Sequence, residues 1–171
     1  LEQWRGRKPL SVLWRDGIVV SFLGEPVTVT RDLFHRGAPA LQDSYLRLAA
    51  SDDGEAMRRQ VIDWYRQQAR GHFSVRVADF CARFALPAPR VIVSNAETRW
   101  GSCNVKREVR LSWRLMKAPP RVIDYVIAHE LAHLKHMNHS AAFWALVAHI
   151  YPQYKSAQQA LRRNDALYRT F

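Results

Sequence analysis

The 171 residues, 48% of them hydrophobic, suffice for one compact core and are too few for two independent ones, so 1–171 is expected to be a single domain. With 26 Lys and Arg against 15 Asp and Glu, the net charge of +11 favours an anionic partner: nucleic acid, an acidic peptide or a phosphorylated small molecule. No apolar run approaches the roughly eighteen residues of a membrane span, and two cysteines without CxxC spacing supply neither a disulfide framework nor a cysteine zinc motif, so a cytoplasmic setting without a membrane partner is expected.

Residues 1–50 read as a β-rich layer, with short strands at 10–14, 18–23 and 26–30 separated by Asp16-Gly17 and Gly24-Glu25; Asp16-Gly17 suggests a hairpin. Residues 52–86 show helical spacing in two runs. The first, 52–71, carries Met57, Val61, Trp64 and Tyr65, with Asp52 or Asp53 as candidate cap; the second, 75–86, carries Val77, Phe80, Cys81 and Phe84.

The stretch 90–151 holds the expected catalytic core. Residues 90–94, preceded by Pro87 and Pro89, are rich in β-branched side chains and read as a strand. A second strand is expected at 109–113, where Val109, Leu111 and Trp113 alternate with Arg110, Ser112 and Arg114, and the two are expected to pair across the loop 104–107. Between them, Arg99, Trp100, Gly101 and Ser102 are the candidate substrate-binding residues. Arg99 suits a carboxylate or phosphate, Gly101 admits close backbone approach, and Ser102 suits a developing oxyanion, on a strand that would align an extended peptide. A purely structural alternative carries equal weight: a β-bulge with Trp100 in the core and Cys103 as a small buried hydrophobe. Cys103 as a nucleophile has no adjacent base in the sequence. Arg107, Arg110, Arg114, Lys117 and Arg121 fall between this strand and the following helix. There they either focus positive potential on substrate or form a solvated basic surface, and the absence of a nucleic-acid-binding motif favours the latter.

Pro119-Pro120 supplies a helix start, and Val122, Ile123, Val126, Ile127, Leu131 and Leu134 give apolar packing at helical spacing. On this helix lies His129-Glu130-Leu131-Ala132-His133. Histidines four apart share one helix face, so their ring nitrogens can converge on one ion. Glu130, about 100° further round, is the candidate general base, since zinc lowers the pKa of its water to roughly 7. A catalytic zinc needs a third protein ligand and an open fourth position. His136 would stand about 10 Å along the axis from His129, too far for one tetrahedral ion. His139 follows Asn138, a residue that tolerates the left-handed conformation used to stop helices, and is therefore the candidate third ligand. His35, His72 and His149 have no such neighbours and read as ordinary histidines. Ser140 is placed to cap a helix carrying Phe143, Trp144, Val147 and Ile150 and ended by Pro152; a last amphipathic helix is expected at 153–167.

Thr98-Arg99-Trp100-Gly101-Ser102-Cys103, Val109-Arg110-Leu111-Ser112-Trp113, the HELAH helix, and Asn138-His139-Ser140 followed by Phe143-Trp144 resemble the YgjP-like metallopeptidase family, related to the SprT-like and WLM zinc proteases, over about residues 90–151. The resemblance implies an α+β, zincin-like hydrolase with Zn2+ on His129, His133 and His139 and Glu130 as catalytic acid/base. Peptides and nucleoside triphosphates are both candidate substrates. The histidine spacing equals that of the metzincin pattern, but His136 stands where that pattern has Gly and no Met follows Met137.

Three functions are therefore weighed. The leading one is a zinc peptidase acting on a peptide or protein substrate. The others are a metal-dependent nucleoside triphosphate hydrolase and a basic nucleic-acid-binding module whose zinc is structural.

Overall fold

In the computed structural model, which describes residues 13–51 and 53–171, two small sheets and five helices make an α+β fold. β1 (Val19–Phe22) and β2 (Glu25–Asp32) pair antiparallel through Leu23 and Gly24, both at positive φ (52° and 87°), the turn whose twist matches that of the strands. β4 (Tyr45–Ala49) runs parallel to β2, and β3 (Ala40–Gln42) lies antiparallel to β4 at the edge. Neither β3 nor β4 is singled out by the sequence pattern. Leu13 and Trp14 are not in a strand, and the rest of the strand expected at 10–14 lies outside the described residues. Asp16-Gly17 makes a turn but not a strand-to-strand hairpin: Gly17 N–H donates to the Val29 carbonyl at 2.9 Å.

The two expected helices at 52–71 and 75–86 are one helix, α1 (Gly54–Arg83). Gly71 suggests a break, but Ala69, Phe73 and Val77 continue the four-residue apolar spacing and are all buried, so one face stays in register with the core. Asp53 caps it, accepting from Glu55 N–H at 2.9 Å; Asp52 is outside the described residues.

The second sheet has the order β5-β7-β6, from β5 (Arg90–Ser94), β6 (Gly101–Cys103) and β7 (Glu108–Ser112). The expected pairing of 90–94 with the second strand exists but is parallel; the loop 104–107 instead joins β6 to β7 in an antiparallel pair. Asn104 Oδ1 organises that loop by accepting from Lys106 N–H (3.0 Å) and Glu108 N–H (3.1 Å). The second strand ends at Ser112, and Trp113–Lys117 forms a 3-10 turn. Its supposed polar face is also buried at this end. Ser112 Oγ donates to the Ala96 carbonyl (3.0 Å), and Arg114 donates to the Asn95 carbonyl (3.2 Å) and Glu97 Oε1 (3.1 Å).

Two contacts fix the helix that follows. Leu23 N–H and Gly24 N–H donate to the Met116 and Lys117 carbonyls (2.7 and 3.2 Å), docking the β1–β2 turn against the entry to α2 (Pro120–Ala132). Arg76 of α1 then makes a two-pronged bond to Asp124 of α2 (2.9 and 2.8 Å). α3 (Ala141–Ile150) starts where Ser140 Oγ accepts from Phe143 N–H (3.3 Å). The single helix expected at 153–167 is two, α4 (Tyr154–Arg163) and α5 (Asp165–Arg169), because Asn164 turns its side chain back to the Ala160 carbonyl (2.9 Å) and ends the first. Among the described residues no helix is long and apolar enough to cross a membrane.

Candidate metal centre and active site

α2 is buried along almost its whole length, from Val122 through Ala132, so the His129 and Glu130 side chains start inside the protein. His133 is the C-cap of α2 and keeps helical backbone angles (φ −65°, ψ −16°), which preserves the four-residue spacing to His129. The chain then turns back earlier than the sequence suggests. It leaves the helix by hydrogen bonds from Lys135 and His136 N–H to the Ala132 carbonyl, and Asn138 is not in the left-handed conformation.

This return brings His139 against His129, with their Nε2 atoms 3.2 Å apart. One ligand nitrogen from each of His129, His133 and His139 lies within 4.8 Å of the others. Two nitrogens on one tetrahedral ion at 2.0–2.1 Å would stand about 3.3 Å apart, so the donor set fits a divalent metal. His136 contributes no ring nitrogen; its backbone carbonyl lies 3.0 Å from His133 Nδ1, which must therefore donate, leaving Nε2 as the lone-pair atom. No fourth His, Cys, Asp or Glu joins the cluster among the described residues.

Aromatic side chains hold the three imidazoles. The Phe143 ring centroid is 4.9, 4.6 and 4.8 Å from those of His129, His133 and His139, and Trp144 stacks on His139 at 6.0 Å while its ring also stacks with Tyr154 at 5.7 Å. Burial, followed by repulsion from His133 and His139, pushes His129 down to about 3, so its imidazole is neutral and able to ligate.

Glu130 is only 1% exposed, and its Oε1 has no hydrogen-bond partner among the described residues. Burial raises its carboxyl to about 8, against the pull of the Arg99 guanidinium. Such an orphaned carboxylate oxygen is costly unless something absent from the bare chain engages it. Gly101 makes the space it occupies: a Cβ there would sit 2.6 Å from Glu130 Oε1 and 2.7 Å from its Cγ.

Beside the triad opens a cleft of about 290 Å³, with His129 and His139 at one end and Arg99, Trp100, Tyr125, Trp144, Gln158 and Arg162 among its walls. Of the residues expected to bind substrate, Arg99 and Trp100 line this cleft, Gly101 packs on Glu130, and Ser102 lies on β6 outside the cleft wall. Trp100 is buried as well as lining: its Nε1 donates to Asp165 Oδ1 (2.9 Å), and Arg169 lies over its ring at 4.4 Å. Arg169 is in turn paired with Asp165 at 2.7 Å, whereas Arg99 and Arg162 have no ion-pair partner among the described residues.

None of Arg107, Arg110, Arg114, Lys117 and Arg121 lines the cleft. Arg114 and Lys117 are buried, where Lys117 donates to the Thr170 carbonyl and packs over Phe171; Arg107, Arg110 and Arg121 are exposed. Burial, then the neighbouring Glu130 charge, pushes the Cys103 thiol up to about 11, the opposite of what a nucleophile requires.

Sequence reasoning missed Tyr125, Gln158 and Arg162. Tyr125 had a signal, since it stands four residues before His129 on the same face. Gln158 and Arg162 had none, because only the docking of α4 brings them to the cleft.

The UTP pyrophosphatase of Escherichia coli (strain K12) is 39% identical to this chain over 54 residues, 32% of each protein, so the match spans about a third of that relative's length. No solved structure matches the chain significantly. A family model described as YgjP-like, metallopeptidase domain, matches residues 4–164. With nearly the whole sequence covered by that model and three imidazoles gathered as a divalent metal requires, the chain belongs to the YgjP-like metallopeptidase family.

Proposed function

We propose that the protein is a zinc-dependent hydrolase that cleaves a phosphoanhydride bond of a nucleoside triphosphate, with His129, His133 and His139 as the zinc ligands. The observation that carries the choice of substrate is the pair of guanidiniums, Arg99 and Arg162, that make no ion pair among the described residues and line the cleft that His129 and His139 close. Guanidinium forks suit phosphate oxygens, and a polyanion gains most from them in a partly enclosed site. The activity named for the partial relative is of the same kind. Three imidazoles favour zinc over magnesium.

When bound, the ion supplies a Lewis acid that acidifies water and polarises a substrate oxygen. Glu130 takes the proton from the attacking water and returns it to the leaving oxygen. Gly101 leaves the carboxylate room to do so, Phe143 and Trp144 keep the imidazoles in place, and Arg99 and Arg162 draw the phosphates into the cleft.

A second reading has its own support. Among the described residues β6 pairs only with β7, and through Gly101 it lies against Glu130. An edge strand so placed suits an extended peptide bound by main-chain hydrogen bonds, which would make the enzyme a peptidase.

Screening the zinc-loaded protein against nucleoside triphosphates and a peptide library in parallel separates the two. Turnover confined to triphosphates is expected; turnover confined to peptides overturns the substrate assignment. Glu130→Gln is expected to lower kcat by roughly 10²–10⁴-fold with metal retained, and full activity in that variant overturns the role of Glu130.

A further inference from the structure

Tyr125 and Gln158 have no part in the reaction as described so far, yet both line the cleft. Tyr125 lies one helical turn before His129, so it shares that face of α2, and the two ring centroids stand 6.1 Å apart. Its side chain is 2% exposed. Gln158, reaching in from α4, donates its amide N–H to the phenol oxygen at 3.1 Å.

That bond uses a lone pair of the phenol and leaves the hydroxyl hydrogen without an acceptor among the described residues. A buried donor left unused costs stability, and a phenylalanine would fill the same volume without that cost. The hydroxyl thus belongs to a residue that lines the cleft with His129, is held by a second side chain, and has no acceptor of its own among the described residues.

We propose that Tyr125 is a catalytic residue whose hydroxyl, oriented by Gln158, donates a hydrogen bond to the substrate oxygen on which charge develops as water attacks. The proton stays on Tyr125, and no bond to the phenol forms or breaks. In a phosphoanhydride the acceptor is an oxygen of the attacked phosphorus; in a peptide it is the carbonyl oxygen. A fixed donor that meets charge only as it develops lowers the barrier more than it tightens ground-state binding. Gln158 is a positioning residue, acting through Tyr125. The inference rests on the hydrolytic reading given above.

The test is Tyr125→Phe in the full chain, zinc-loaded, with three readouts. Metal per chain is expected to match the parent, and Tm to be no lower. The kcat is expected to fall about a hundredfold or more, with KM changed far less. The affinity for orthovanadate, a five-coordinate mimic of attacked phosphorus, is expected to fall at least tenfold when measured by calorimetry. Gln158→Met, which keeps the bulk, should shift kcat and vanadate affinity in the same direction by less. Unchanged kcat and unchanged vanadate affinity in Tyr125→Phe overturn the assignment, as does loss of bound metal, which would make Tyr125 a packing residue. If Glu130→Gln is inactive while Tyr125→Phe is not, the inference fails and the hydrolytic reading stands. If Glu130→Gln is fully active, that reading fails instead.

Discussion

A methyl group on Gly101 would have to occupy the space that the Glu130 carboxylate fills, 2.6 Å from Oε1, and the carboxylate is packed too deeply to swing aside freely. Gly101→Ala should therefore displace the proposed general base without touching the three imidazoles. Because misplacing a catalytic group by about 1 Å can cost roughly a hundredfold, kcat should fall by about that factor while zinc binds with unchanged stoichiometry; an active Gly101→Ala protein would show that Glu130 does not work from this position. The sequence made much of this scale legible. His129, Glu130 and His133 follow from the fixed geometry of a helix, and His139 from the reach of a short return. The partnership of Gly101 with Glu130 was not legible, because it depends on which face of β6 meets α2, and nothing local to either segment states that.

At the scale of elements, α1 shows how a glycine can mislead. Gly71 suggests an end to the helix, but the buried spacing of Ala69, Phe73 and Val77 runs on past it, so burial of the apolar face outweighs a propensity cost of about 1 kcal/mol. An added Cβ at Gly71 meets nothing within 4 Å, and the residue is exposed. Gly71→Ala should accordingly stabilise the protein by about 0.5–1 kcal/mol and raise Tm by roughly 1–4 °C; a lowered Tm would argue that the chain breaks there. The strand pair of the second sheet carries a similar lesson. The alternation at 109–113 is read correctly as far as Ser112, and then fails because Trp113 and Arg114 belong to a turn whose buried polar groups are satisfied by Asn95 and Glu97 at the surface.

For the whole molecule, the excess of positive charge is distributed in a way that composition could not reveal. Two of the basic residues expected either to focus charge on substrate or to form a solvated surface, Arg114 and Lys117, do neither and fasten the last residues to the core: Arg114 Nε donates to the Phe171 carbonyl (3.2 Å), and Lys117 Nζ lies 3.5 Å from the centre of the Phe171 ring. Burial, then the nearby Arg114 charge, pushes Lys117 from 10.5 down to about 6, although the Phe171 ring works in the other direction by favouring the ammonium. Between those two values the unfolded chain binds a proton that the folded chain does not, so this residue makes stability rise with pH from about 6 towards 10.5 and leaves the folded state least favoured below 6. Lys117→Met should flatten that part of a Tm-against-pH curve; an unchanged slope would show that Lys117 is charged in the folded protein. The cleft cations come instead from Arg99 before β6 and Arg162 on α4, segments distant in sequence that only the assembled fold brings together. Whether three imidazoles share one open divalent ion can be read by X-ray absorption at the zinc edge of the loaded protein. Three nitrogen ligands at about 2.0–2.1 Å with one oxygen from solvent are expected; a shell containing sulfur, or one with fewer than three imidazoles, would contradict such a site.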